Sequence, residues 1–489
     1  VIAAVAGSML AVWTGFGIAN QEYTLALAMA AIGLWVLVES RGKAFPEAWV
    51  IAATLFGYVI GNRGFAQFSL STQAPLLPAE VALLCGSVAV AMRRTSAFHR
   101  DSLNLTIGLW FLVGIARLWL DVRSHGALAL RDFATVYYSL FFFIAQSLAR
   151  NPSSLELLRR TVLATALVLP FSYLLYREFP TFFSSQLTLG GTQLIFYKDD
   201  LIAAYLFAGF FIVFSTPRLN AMLRNCVATL SYGLAFTIQS SRAAIVGLAL
   251  TSVCWSLAGR RKPLGLQAII VTLVGIGLLS LALVSSKGLE DSRIFSLYEH
   301  VKSITDVTGT TRYRSADREH VGDNNRFRAV WWRAVAEETL ESNPAFGLGF
   351  GADLTDRFLR SYQLDLGGDF NVRSPHSIFF TVLGRLGIVG LVAWLAVVLS
   401  ILFRAVRLIR KVARDDDALP ALGFWSVSLI LLASSAFGVV LEGPMGAMPF
   451  WTALGLANGS THRACQEAEV EASGRVTAPR TVETNSSPA

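Results

Sequence analysis

Residues 377–411 read "SIFFTVLGRLGIVGLVAWLAVVLSILFRAVRLIRK". From Ser377 to Phe403 the only charged side chain is Arg385, and the run closes on Arg404, Arg407, Arg410 and Lys411. An α-helix rises 1.5 Å per residue, so about 20 mostly apolar residues cross the roughly 30 Å hydrocarbon core of a bilayer. This run is long enough. Short loops rich in Lys and Arg stay on the cytoplasmic side, so the basic end predicts the cytoplasmic end of a membrane helix.

The rest of the 489-residue chain is of the same kind. With 54% hydrophobic residues, only 15% charged ones and a mean hydropathy of +0.53, it is too apolar for a soluble globular domain. Apolar runs at 1–19, 22–40, 47–61, 76–92, 103–120, 129–149, 161–176, 199–216, 222–238, 243–258, 263–285, 377–403, 419–440 and 445–457 predict about fourteen spans. The runs at 47–61 and 445–457 fall short of the usual length. The alternating pattern of a membrane barrel is absent, so the expectation is an all-α polytopic bundle of about 12–14 helices. Transporter-like repeats with matched broken helices are not seen.

Numbering the runs from one, the even-to-odd connections carry Arg41 and Lys43, then Arg93, Arg94 and Arg100, then Arg150, Arg159 and Arg160. Further along they carry Arg218 and Arg224, Arg260, Arg261 and Lys262, and the basic end of the opening stretch, while the opposite connections hold only scattered cations. Both termini are therefore expected in the cytoplasm, with one large hydrophilic loop facing outward. The organisation that follows is an N-terminal bundle over 1–285 of about eleven helices, an outer helical cap over 286–374, C-terminal membrane helices over 375–457 and a disordered cytoplasmic tail over 458–489. The net charge of +8 is mostly this orienting bias, which suits anionic lipid and gives nucleic-acid binding no support. Four cysteines, three of them in predicted spans, show no disulfide framework and no metal-ligand spacing.

Inside the outer loop, "SRIFSLYEHVKSI" (292–304) and "RFRAVWWRAVAEETLESNP" (326–344) have helical spacing of apolar residues, the second through Val330, Trp331, Ala334, Val335 and Leu340. Asn343-Pro344 stops that helix, and "AFGLGFG" (345–351) makes a glycine-rich turn. The "GLGFG" lacks both the strand-to-helix setting of a dinucleotide loop and the Gly-Lys-Ser/Thr of a phosphate loop, so it reads as a turn.

Three stretches in order, "SSRAAIVGLAL" (240–250), "NNRFRAVWWRAVAEETLESNPAFGLGFG" (324–351) and "SPHSIFFTVLGRLGIVGLVAWL" (374–395), resemble the O-antigen ligase and polymerase superfamily of bacterial inner-membrane proteins. The resemblance covers about residues 230–405; the earlier spans share only hydrophobicity. It implies a bundle of the GT-C kind and a metal-independent glycosyltransferase that uses no cofactor. Such enzymes take a glycan from undecaprenyl pyrophosphate at the periplasmic face and join it to an acceptor hydroxyl, on lipid A core or on a growing lipid-linked glycan. Membrane lipids and polysaccharide-assembly proteins are the further expected partners. One residue departs from the family pattern: the usual Pro-His-Asn is Pro-His-Ser here, with Ser377.

The chemistry can be matched to residues present. Arg242 lies at an outer edge where the charge bias disfavours an idle arginine, and its planar fork of donors suits pyrophosphate oxygens. The bland alternative is an arginine snorkelling to lipid phosphates. Arg328 stands four residues before Trp332, as the family's arginine does, one helical turn apart; Arg326 competes for that assignment. His376 follows Pro375 at the mouth of a span, and a neutral imidazole there can take the proton of an attacking hydroxyl. Direct attack would invert the anomeric carbon.

Arg385 could bind pyrophosphate, though the glycines around it suggest a bend where it snorkels. Asp199 and Asp200 could orient sugar hydroxyls, though acidic residues also suit a helix N-terminus. Ligase and polymerase share these motifs; about fourteen spans lean the expectation toward polymerase or exopolysaccharide assembly. The rival from another class is a transporter or flippase of lipid-linked glycans, which would place ionisable residues near the bilayer midplane.

Overall fold

The computed structural model describes residues 44–68, 77–93, 97–189, 191–238, 242–272, 318–362, 373–412 and 418–477. The helices are α1 (Pro46–Ile60), α2 (Pro78–Arg93), α3 (Ser102–His125), α4 (Ala127–Asp132), α5 (Ala134–Tyr137), α6 (Leu140–Leu148), α7 (Pro152–Glu178) and α8 (Pro180–Ser185). A two-stranded hairpin follows, Thr188–Leu189 against Thr192–Gln193. Then come α9 (Asp199–Phe214), α10 (Ala221–Phe236), α11 (Arg242–Leu257), α12 (Arg318–Ser342), α13 (Asp356–Tyr362), α14 (Ile378–Val412), α15 (Leu419–Ser435) and α16 (Pro444–Thr477).

Local sequence explains several boundaries. Asp101 caps α3 by accepting from the Asn104 amide, Asn151 caps α7 the same way with Pro152 next, and Asn220 caps α10 through two amides. α9 and α15 are apolar all round, and every α9 residue from Leu201 to Phe214 is buried. Helices of that composition belong at the centre of a bundle. α9 packs against α7, α10 and α15, α11 against α15, α14 against α3, and α16 against α6 and α15.

Among the described residues, Ser102–His125, Pro152–Glu178 and Ile378–Lys411 are long and apolar enough to cross a membrane. A fourth arises if Ala127–Tyr137 and Leu140–Leu148, which meet at 42°, form one broken span. Apart from the short hairpin the architecture is helical and consistent with a membrane protein, although fewer of the described helices are that long and apolar than the fourteen hydropathy runs. The expected spans 1–19 and 22–40 lie outside the described residues, as does most of 263–285. Those at 47–61, 199–216 and 243–258 are helices of 15, 16 and 16 residues, about 23–24 Å long at 1.5 Å per residue. The run 129–149 is divided among α4, α5 and α6, and the run 161–176 is part of a longer helix that begins at Pro152.

The tail expected to be disordered from residue 458 begins as helix: α16 continues to Thr477. Its first polar turn is anchored. Asn458 is 1% exposed and donates to Asp101 and Gln146, while His462 pairs with Asp101 at 2.7 Å and Arg404 donates to Asn458. Beyond it, Ala, Glu, Gln and Arg are strong helix formers.

Within the segment expected to form the cap, α12 and α13 enclose a small second core of Trp331, Ala334, Val335, Leu354 and Phe358. Leu340, expected on that face, is 53% exposed, and Thr339 is buried instead. The spacing Trp331, Val335, Thr339 keeps one helical face, from which Leu340 is turned by a residue. The stretch 292–304 lies outside the described residues.

Candidate active site

Four segments carry the site. α9 begins at Asp199, and the residue before it, Lys198, is fixed by its amide donating to Asn62 Oδ1 at 3.0 Å. α11 begins at Arg242, α12 carries Arg328 in its middle, and the turn 373–377 leads into α14. Arg328 lies within electrostatic reach of Arg242 and Asp200, and His376 within reach of Arg328, Lys198 and Asp200. Side chains more than a hundred residues apart thus share one locus.

His376 sits in an unusual backbone conformation. Its φ is +56°, one of two non-glycine residues with positive φ among those described. L-residues pay roughly 1–2 kcal/mol for this region, so surroundings must impose it. Pro375 restricts the preceding backbone, and Trp332 donates its indole Nε1–H to the Pro375 carbonyl at 2.7 Å. The His376 amide donates to Ser374 Oγ at 3.3 Å, and the Trp331 ring meets the imidazole edge-on at 5.8 Å. The ring's Nδ1 is buried without a hydrogen-bond partner among the described residues. A histidine kept for structure alone normally has its buried ring nitrogens bonded.

Electrostatics favour the neutral ring. Burial, reinforced by the Arg328 and Lys198 cations and opposed by Asp200, pushes the His376 pKa from 6.5 down to about 4. Burial, with Arg242 alongside, lowers the Arg328 guanidinium to about 10, so it still carries its charge at neutral pH. Arg328 therefore lies within electrostatic reach of an uncharged imidazole, and the two guanidinium groups, Arg328 and Arg242, lie within reach of each other. An anion between them would relieve their repulsion, and pyrophosphate offers oxygens to both.

The sequence candidates separate cleanly. Arg242, Arg328, His376 and Asp200 come together. Asp200 is bridged by Lys198 at 3.3 Å and accepts from the next amide, that of Leu201, in the first turn of its own helix. Asp199 faces Arg177, Tyr173 and Tyr176 instead. Arg326 is exposed on α12, whereas Arg328, two residues on, is half-buried and lies within electrostatic reach of Arg242 and Asp200. Ser377 stands directly before the first residue of α14, a position where Asn and Ser are equally favoured, so the departure from Pro-His-Asn is conservative there.

Arg385 is only 4% exposed and is engaged elsewhere. It pairs with Asp132 at 2.8 Å and donates to the Gly349 and Ala352 carbonyls. That arrangement locks the glycine-rich turn into a break in α14, where Gly387 takes φ +64° and ψ −160°. Across the break, Leu348 N–H donates to Gly384 O, Ile388 N–H to Pro344 O and Val389 N–H to Ala345 O. Gly347, Gly349 and Gly351 all have positive φ, and a Cβ on Gly347 would lie 2.5 Å from the Gly387 nitrogen. The turn is thus docked onto α14, held by backbone exchange and by Arg385.

Two residues near the locus were not singled out by sequence. Lys198 directly precedes Asp199 and Asp200 in the sequence, and only its proximity to His376 reveals it. Glu442, in the turn between α15 and α16, accepts from Ser374 Oγ at 2.7 Å and Thr381 Oγ1 at 3.0 Å. A lone carboxylate between two apolar helices was the available signal. A separate apolar crevice along α9, lined among others by Val162, Ile212 and Val427, brings no charged group and supplies no chemistry.

Residues 227–395 match a family model described as O-antigen ligase. The match contains Arg242, Arg328, His376 and Arg385, and it supports the O-antigen ligase superfamily and, with it, a ligase- or polymerase-type glycosyltransferase. No curated protein matches the chain.

Proposed function

We propose that the chain transfers or polymerises a glycan carried on undecaprenyl pyrophosphate, joining it to an acceptor hydroxyl at the periplasmic face of a bacterial inner membrane. One observation carries this reading: Arg328 lies within electrostatic reach of both Arg242 and a neutral His376, whose buried Nδ1 has no hydrogen-bond partner among the described residues. The two guanidinium groups hold the pyrophosphate and stabilise the charge that grows on it as the glycosidic bond breaks. The acceptor oxygen attacks the anomeric carbon from the opposite face, its proton passes to the imidazole, and undecaprenyl pyrophosphate departs with the bonding electron pair. A single displacement inverts the anomeric carbon. Asp200 and Lys198 flank the histidine and are placed to meet polar groups of the sugars.

In this mechanism positive charge comes from arginine, so transfer proceeds without nucleotide and without a divalent cation. Purified protein in detergent, given lipid-linked glycan and acceptor, should release undecaprenyl pyrophosphate in the presence of EDTA. Strict dependence on a divalent cation or nucleotide contradicts the mechanism. Movement of the intact lipid-linked glycan between leaflets with no new glycosidic bond favours a flippase instead.

A further inference from the structure

His376 is held in a left-handed conformation by a turn whose two ends meet at one carboxylate. Ser374, two residues before the histidine, donates its hydroxyl to Glu442 Oε1 at 2.7 Å while its oxygen takes the His376 amide at 3.3 Å. Thr381, in the first turn of α14, donates to the same Glu442 oxygen at 3.0 Å, and its amide closes that turn on the Ser377 carbonyl at 2.9 Å. Glu442 comes from a different part of the chain, 68 residues from Ser374. It therefore brackets the histidine, fixing the backbone just before it and the helix just after it.

We propose that Glu442 is a positioning residue for His376, acting through Ser374 and Thr381. The inference rests on the transferase reading given above. A base must lie within hydrogen-bond reach of the proton it removes, and a misplacement of about 1 Å can cost roughly 100-fold in rate. A left-handed histidine left to itself relaxes toward the ordinary regions, which turns the ring away from its present direction. The Glu442 carboxylate removes that freedom. It touches neither arginine of the anion site by hydrogen bond, so its loss should disturb proton transfer and leave donor binding in place. Burial raises its pKa, and its two hydroxyl donors and the Arg385 charge oppose that rise.

Steady-state transfer from undecaprenyl-pyrophosphate-linked glycan, with direct measurement of donor binding, tests this on the full-length protein in detergent. Glu442→Ala and Ser374→Ala should each lower kcat by about 10-fold to 100-fold with donor affinity within about 2-fold of the parent. Glu442→Gln keeps an oxygen acceptor and should retain kcat within about 3-fold. Because the two residues act as one unit, the double alanine variant should be no worse than the weaker single one. If Glu442→Ala does not accumulate as folded protein, Ser374→Ala must show the same kcat loss by itself. Full kcat in either alanine variant overturns the proposal, as does a loss confined to donor affinity or a double variant whose losses multiply. Absence of turnover in the parent protein overturns the transferase reading itself, so the two failures are distinguishable.

Discussion

Trp332 donates its indole Nε1–H to the carbonyl of Pro375 at 2.7 Å, which ties the helix carrying Arg328 directly to the turn carrying His376. The proposed anion-binding side of the site and its proposed base are thereby coupled by one bond. Trp332 also stacks on Phe380 with ring centroids 5.1 Å apart and planes at 8°, so the indole is held from both ends. Its spacing from Arg328, one helical turn, acquires a reason: the guanidinium and the tether leave the same face of α12.

Trp332→Phe keeps the stack and removes the donor. A neutral hydrogen bond is worth about 1 kcal/mol net, so transfer should fall roughly 5-fold with protein levels maintained. Turnover equal to the parent shows that the tether does not position the site.

Arg328 and Arg326 should behave differently although they are two residues apart. Arg328→Lys keeps the charge and loses the planar fork, so donor affinity should drop about 10-fold or more. Arg326→Ala, at an exposed position, should stay within about 2-fold of the parent. Equilibrium binding of lipid-linked donor to the two variants checks both, and equal losses would remove the basis for choosing Arg328.

The depressed pKa of His376 predicts an acid limb at low pH. In the free enzyme the ring stays neutral down to about pH 4, so kcat/KM should be insensitive to this group between pH 8 and about 5. Bound pyrophosphate adds negative charge beside the ring and favours imidazolium, so the limb in kcat should lie higher than that in kcat/KM. The sign for stability is the same: between about 4 and 6.5 the unfolded imidazole holds more protons, so this contribution is complete above 6.5 and fades as pH falls toward 4. A kcat/KM limb at the ordinary imidazole value, absent in His376→Gln, would show a solvated ring.

Orientation is tested independently of chemistry. A reporter active only in the periplasm should be active when fused near residue 310 and silent when fused near Arg410, because the latter lies in the basic cluster that ends α14. The opposite pattern reverses the membrane side on which the site opens.

The candidate residues could be picked out because they sit in short stretches that resemble the family's motifs. Arg328 is marked by the tryptophan one turn away, and His376 by the proline before it. The break in α14 was legible only as the bend that the glycines around Arg385 suggest; what makes it was not. Hydropathy averages over a window and reports apolarity, whereas the break depends on Gly387 adopting a positive φ and on carbonyls supplied by the 344–349 turn. The same limitation hid Arg385: its glycine neighbours suggested a bend, but its partner Asp132 lies far away in sequence. Glu442 and Lys198 gain significance only from what the fold puts beside them. The helix continuing to Thr477 was missed because a polar composition was read as disorder, while Asn458 and His462 bond into a buried cluster with Asp101.

The most direct test compares His376→Ala and His376→Gln in membranes with matched protein levels, measuring donor binding and glycan transfer on the same samples. If His376 is the base, both variants bind lipid-linked donor as the parent does and both lose roughly 100-fold to 10,000-fold in transfer, since glutamine restores hydrogen bonding and no titratable nitrogen. Near-normal transfer by His376→Gln would show that the histidine orients a substrate and that another group takes the proton.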